Sequence, residues 1–209
     1  IGGQFRLEPS CARVVYNYFK AGSEQLAVSS KNSSLLTPHP LPLFLEETVQ
    51  AADIIDSFDY PDIDIWRQET PGKIIDYSIK YPEGDPQQKN HYLKALVNQI
   101  KRVPLEEIAR APEVQQRFQK YKEKEEGMLR LIQESVCFLP EDKDKIMAII
   151  DLTTYTRRPA IVKNLTFLLY PQAQVVVEVQ NLYSQGMKTN DLNFSMALGF
   201  ALNNLAHNK

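Results

Sequence analysis

The sequence predicts an α/β chain in two parts: a helix-rich stretch over residues 1–138, then a small mixed-sheet region over 139–209. Three observations predict this. Apolar residues recur at three- and four-residue spacing through the first part, as helices packed on one side require. Proline and glycine punctuate those runs where helices begin and end. After Pro140 the texture changes to short β-branched runs, such as Val175-Val176-Val177 followed by Val179.

Residues 9–21 form the first expected helix. Pro9 and Ser10 suit its first turn, Val14, Val15, Tyr18 and Phe19 give it an apolar face, and Gly22 suits the position past its end. Residues 23–41 read as a loop through Ser29, Ser30, Asn32, Ser33, Ser34, Pro38 and Pro40. A second helix is expected from about Pro42 to Ser57, with Leu45, Val49 and Ala52 on one line. Residues 58–90 read as irregular, broken by Pro61, Pro71, Pro82 and Pro86. Within them, 73–80 fits a short strand or a helical turn. Residues 87–103 are helical again through Leu93, Leu96, Val97 and Ile100. Pro104 opens a short helix carrying Leu105 and Ile108. Pro112 opens a long one with Val114, Phe118, Tyr121, Met128, Leu129 and Ile132 as its stripe. The mixed charges of Lys120–Glu126 read as a solvated face with pairs at four-residue spacing.

In the second part, residues 145–152 have the length and apolarity of a buried strand. Residues 161–170 read as a helix through Val162, Leu165, Leu168 and Leu169, ended by Tyr170-Pro171. Residues 173–181 and 191–199 are expected to pair as neighbouring strands around a turn at Ser184–Gly186. Leu192, Phe194, Met196 and Leu198 alternate with small or polar residues. Strict alternation specifies one face, expected to be the buried one, with Ser195 and Ala197 turned toward a cleft or solvent.

Composition narrows the function. Of 209 residues, 43% are hydrophobic and 24% charged, ordinary for a globular protein. The net charge of -2 offers no basic footprint for a nucleic-acid backbone. No apolar run approaches the roughly 20 residues that span a bilayer. The sequence opens at Ile1 with no basic-then-apolar leader. Cys11 and Cys137 lie far apart, which argues for a reducing compartment and a cytoplasmic location. The triplets at Asn32, Asn164 and Asn193 match a glycosylation pattern that arises often by chance.

The sharpest candidate for chemistry is in the second helix. The line Leu45, Val49, Ala52 extended by one turn reaches Asp56, and Asp53 lies three residues before it. A carboxylate turned to a core costs several kcal/mol unless paired or bound to a cation. Two such acids suit a divalent metal, since hard cations take carboxylate oxygens. The other reading is a solvated acidic stretch continuing through Asp59, Asp62 and Asp64. It lacks the glycine and terminal glutamate of a calcium loop. His39, His91 and His207 have no metal-ligand spacing, and His91 reads as a surface residue. No nucleophile-elbow or phosphate-cradling glycine motif occurs. Arg157-Arg158 is a candidate phosphate fork, with a plain surface pair as the favoured alternative.

Several segments taken in order resemble the DHH phosphoesterase family, especially its exopolyphosphatase-like branch. Residues 8–19, Glu8-Pro9-Ser10-Cys11-Ala12-Arg13-Val14-Val15-Tyr16 and onward, resemble the helix after that family's Asp-His-His signature. Ala52-Asp53-Ile54-Ile55-Asp56-Ser57 is similar to the fourth motif, whose second Asp ligates metal. Residues 103–114 resemble the segment leading to the family's connecting helix. Residues 149–199 resemble its second, substrate-binding domain. The resemblance spans nearly the whole chain, and the conjunction carries it.

The resemblance implies a metal-dependent phosphohydrolase acting on polyphosphate, short oligonucleotides or a nucleotide phosphate. It implies Mn²⁺ or Mg²⁺, with Asp56 as a metal ligand and Asp53 as the acid beside it. Gly199 and Asn204 fall where the family contacts substrate, in a cleft between the two parts. A phosphate-containing small molecule or short oligonucleotide is the expected partner, a membrane is not, and a homodimer is compatible. The departures are as informative. The family's first three motifs would precede Ile1, and its glycine-rich phosphate loop would follow Lys209. Where the family has Gly-His-Ser and then Asn-Arg, this sequence has Gly199-Phe200-Ala201 and then Asn204-Leu205. Two expectations therefore stand side by side: a phosphohydrolase whose chain here is inactive alone, and a non-catalytic binding or assembly module derived from such enzymes.

Overall fold

The structure, a computed structural model, describes residues 8–29, 43–81, 85–157 and 159–202. These are mixed α/β, a helical region followed by a four-stranded mixed sheet. They divide into two compact units. The first comprises the described residues through Asp59 together with Glu69–Tyr121, and the second comprises Tyr60–Gln68 with Lys122 onward. The composition shift near Pro140 falls inside the second unit.

In the first unit, helix α1 spans Cys11–Ser29 and α2 spans Leu43–Ser57. Gly22 was expected to end α1, but the helix runs through it. One glycine costs a helix interior about 1 kcal/mol against alanine, too little to stop a run that continues as Glu24-Gln25-Leu26-Ala27. At the end of α2 the Asp59 amide donates to the Ile54 carbonyl and Phe58 takes a left-handed φ of 56°. This reversal caps the last turn of α2, the turn that carries Asp56.

The stretch expected to be irregular is largely helical. Helix α3 spans Ile63–Arg67 in the second unit, and α4 spans Pro71–Lys80 in the first. Here the prolines open helices instead of breaking elements. Pro71 follows the cap residue Thr70, and Pro86 follows Asp85, whose carboxylate accepts from the Gln87 amide. A proline at the first helical position loses no hydrogen bond. Helix α5 (Pro86–Ile100) turns Tyr92 and Leu96 inward, while Val97 is exposed. With α6 (Leu105–Ala109), these elements close a core of Ile75, Tyr92, Leu96, Leu105, Ile108, Ala109 and Val114.

Helix α7 spans Pro112–Ser135 and contributes residues to both units. Its inner stripe is Val114, Phe118, Tyr121 and Ile132, as the periodicity predicts. The supposedly solvated charge run has one exception. Glu125 continues the stripe four residues after Tyr121, is buried, and accepts from Arg67 at 2.8 Å. The ion partner on α3 allows a carboxylate on that face.

The second unit holds the sheet, in the order β1 (Val136–Cys137), β2 (Met147–Asp151), β3 (Val175–Ser184), β4 (Met187–Leu198). β2 and β3 are parallel and the outer pairs antiparallel. The β2–β3 crossover holds only a 3-10 turn at Lys163–Leu165 and one helical turn, α8, at Thr166–Leu169. The longer helix expected over 161–170 is therefore mostly absent, consistent with Pro159 and β-branched Ile161 and Val162 at its start. The β3–β4 hairpin turns on Gln185 and Gly186, both at positive φ, as a two-residue connection between twisted strands requires.

The pairing of β3 with β4 agrees with the sequence, with Val177 opposite Met196 and Val179 opposite Phe194. The face does not. Leu192, Phe194, Met196 and Leu198 do share one face, but all four are exposed, while Ala197 packs against the core. Alternation identifies two faces without saying which one is covered. The covering layer, with Phe167, Leu131 and Ile161, lies on the side of Ala148, Ile150, Val176 and Ala197.

Candidate functional site

Two places hold the residues that the sequence singled out. The first is α2 in the first unit. Glu46 and Asp53 are seven residues apart on this helix, so both reach one side of it. Arg13 of α1 meets them there. Its Nη1 donates to Glu46 at 2.6 Å, and its Nε and Nη2 donate to one oxygen of Asp53 at 2.8 and 2.6 Å. The other Asp53 oxygen accepts from Ser10 at 2.6 Å. Ser10 also caps α1 by accepting from the Arg13 amide.

The electrostatics follow from this cluster. Hydrogen bonds from Tyr16 and then Arg13 hold the Glu46 carboxyl below its usual range. Glu46, then Asp53, raises the Arg13 guanidinium still further. Tyr16 is pushed up by the same Glu46 carboxylate. Asp53, the expected neighbour of a metal, thus has both oxygens engaged in joining α1 to α2.

Asp56 differs. It continues the line of Leu45, Val49 and Ala52, and Val49 is buried at 8% exposure. Glu47, Gln50 and Ile54 occupy the opposite, solvent side of α2. Asp56 itself is exposed and accepts no hydrogen bond from any described residue. The carboxylate expected to turn toward the core turns to solvent instead, where it needs neither an ion partner nor a metal. It stands in the last helical turn, which contains no basic residue. The helix dipole disfavours a carboxylate there by about 0.3–1 kcal/mol.

The donor set does not amount to a metal centre. No group of three His, Cys, Asp or Glu side chains suited to a metal occurs among the described residues. A single exposed carboxylate does not hold a divalent ion against water.

The second place is a recess of about 490 Å³ in the second unit, between Pro61–Asp64, Pro171–Gln174 and Gly199–Leu202. Asp62 caps α3 by accepting from the Ile65 amide at 2.8 Å. Phe200 packs on Phe167 and Trp66, each at 5.8 Å between ring centroids. Gly199 is where the resemblance puts a substrate contact. Its amide donates to the Gln174 carbonyl at 2.7 Å. A Cβ on it would lie 3.0 Å from the Ala173 carbonyl oxygen and 3.2 Å from that of Gln174. The glycine is required by close backbone packing. Gly199→Ala is expected to cost about 1–3 kcal/mol, the range for overpacking a tight site. Urea unfolding measures it, and a loss below about 0.5 kcal/mol would mean that the two carbonyls give way easily.

Asn204, Leu205, Arg158, His39 and His207 lie outside the described residues. Arg157 and His91 are exposed. The sequence reading missed Arg13, Glu46 and Ser10 as a cluster. The signal was available: Glu46 and Asp53 lie on one helical stripe, and two acids so placed need a cation.

With its helical part and four-stranded mixed sheet, the chain is similar in fold to a solved structure. The pGpG-specific phosphodiesterase PggH from Vibrio cholerae aligns with 92% of this chain at 18% identity and a TM-score of 0.60. The alignment spans 57% of the length of that chain. No family model matches the sequence, and no curated protein matches it. Among the described residues, no helix is long and apolar enough to cross a membrane.

Proposed function

We propose that this chain is part of a metal-dependent phosphoesterase of the DHH kind, contributing one metal ligand and a substrate-binding surface, and inactive alone. One observation carries the reading. Asp56 is an exposed carboxylate with no partner among the described residues, in the last turn of α2, at the position where the motif resemblance puts a metal ligand. Nothing among the described residues pairs with it, so its oxygens are open to a ligand from outside them. The fold likeness to a phosphodiesterase supports this reading. In it, Mn²⁺ or Mg²⁺ would polarise a phosphoryl oxygen and activate water. The other ligands would come from outside the described residues, and Asp53 would hold α2 in place through Arg13. Gly199 and Asn204 belong to the proposed substrate side. The substrate class is a phosphate-containing small molecule or short oligonucleotide.

A second reading has its own observation. Phe200, which stands where the family has a polar residue, packs against Phe167 and Trp66. A binding module that has lost catalysis would tolerate that replacement.

The experiment uses Trp66, the sole tryptophan in the chain. Its contact with Phe200 makes its emission a reporter of the recess. Titrating the 209-residue chain with pGpG should shift that emission, while pGpG and a generic phosphodiester with Mn²⁺ should show no turnover. Metal-dependent turnover would place a complete active site in this chain and refute its inactivity. Absence of binding, by both emission and calorimetry, would count against the substrate-binding surface of the first reading.

A further inference from the structure

The sheet of the second unit is apolar on the side left open. On the covered side, β3 and β4 carry Val176, Glu178 and Gln180 opposite Ala197, Ser195 and Asn193. Glu178 and Gln180 are buried there. On the open side the same strands carry Val175, Val177 and Val179 opposite Leu198, Met196 and Phe194. Met147 and Ile149 of β2 continue that side, since they pair with Val175 and Val177. Apart from Asn181, which pairs with Leu192 and is folded in to donate to the Thr189 carbonyl, the polar residues are under cover and the apolar ones in the open, the reverse of a half-solvated sheet.

The exposures are large: Phe194 62%, Met196 70%, Leu192 45% and Leu198 40%. At roughly 200 Å² for a large side chain, these four alone leave about 400 Å² of apolar surface, within the range of about 300–600 Å² for a monomer's largest patch. The partly exposed valines, Met147 and Ile149 enlarge it further. β4 is also an edge strand, so its outer backbone groups have no strand partner among the described residues.

We propose that this open face is the contact between two copies of the chain, packed sheet against sheet about a two-fold axis. The area supports a second copy. A standard stable interface buries about 800 Å² per partner, with an apolar centre and a polar rim. The four exposed side chains supply about half of that as apolar centre, before the flanking valines, Met147 and Ile149 are added. A two-fold contact needs only one surface that complements itself, and a flat apolar sheet face meets that condition. No charged side chain stands within the block of Val175, Val177, Val179, Phe194, Met196 and Leu198 to oppose a copy of itself. Asp151, opposite Val179, lies at its border and is exposed.

The test is the oligomeric state of the 209-residue chain and of Met196→Glu, by sedimentation velocity. The unaltered chain should be a dimer, and Met196→Glu should halve the mass. Because Met196 is 70% exposed, its helical and strand circular dichroism and its melting curve as a monomer should show an intact fold. Phe194→Lys should do the same. A chain that stays monomeric at about 100 µM, above the micromolar end of standard interfaces, overturns the proposal. In that case a silent hydrophobic dye assigns the cover to the chain's own residues, and a bright one assigns it to a different partner. A dimer unaffected by both substitutions overturns it as well.

Discussion

Replacing Phe167 by alanine is expected to destabilise the second unit by about 3–5 kcal/mol, the range for deleting a buried aromatic ring. Phe167 is 1% exposed and sits in the core with Ala148, Ile150, Leu152, Ala173 and Val176. Its ring also holds Phe200 at 5.8 Å, so the loss extends to the wall of the recess. Aromatic pairs of this kind add about 0.5–1.5 kcal/mol beyond their buried area. The core lies under one side of the sheet and has little second layer to draw on, because the other side carries its apolar residues outward. The void left by Phe167→Ala would have few neighbours able to collapse into it. Denaturant unfolding followed by Trp66 emission measures the effect. A loss below about 1.5 kcal/mol would show that Phe200 and the neighbouring valines refill the space.

The comparison of sequence with structure separates what is local from what is not. The helices opening at Pro104 and Pro112, the strand at Met147–Asp151 and the β3–β4 pairing were legible because period and punctuation are local signals. Pro71 and Pro86 misled because a proline reads equally as a breaker and as a first helical residue. Only the caps, Thr70 and Asp85, tell the two apart. The orientation of β4 was not legible at all. Its alternation is the same whether Phe194 or Ser195 is covered. The answer depends on where α8 and the end of α7 lie, residues distant in sequence. The same holds for the acids. Helical spacing put Glu46, Asp53 and Asp56 on neighbouring lines of α2. It did not say that Arg13, forty residues before Asp53, would take two of them and leave the third.

That partition yields the sharpest prediction about the site. Asp53→Ala is expected to cost about 2–3 kcal/mol. Asp53 and Arg13 are largely buried, at 13% and 17% side-chain exposure, and their contact is a two-nitrogen one. Charge-assisted hydrogen bonds contribute about 1.5–3 kcal/mol each when buried, and partial exposure reduces this. The substitution also leaves Ser10 and one edge of Arg13 without an acceptor, so α1 should loosen from α2. Asp56→Ala should change stability by no more than about 0.5 kcal/mol, and in the favourable direction, since it removes a carboxylate from a helix C-terminus. The two measurements, by urea unfolding on otherwise identical chains, assign one acid to the fold and free the other for chemistry. An Asp56→Ala chain destabilised by more than about 1 kcal/mol would give Asp56 a structural partner and take away the observation on which the metal-ligand reading rests. If Asp56→Ala is neutral, the same substitution in any form of the protein that hydrolyses phosphate esters should lower metal-dependent turnover by no less than the roughly 10–100-fold lost when only an outer-shell partner of a metal is removed, because water replaces a ligand only by loosening the ion. Asp53→Ala, by contrast, should lower turnover only in proportion to the protein that unfolds, and a stabilising osmolyte should restore it.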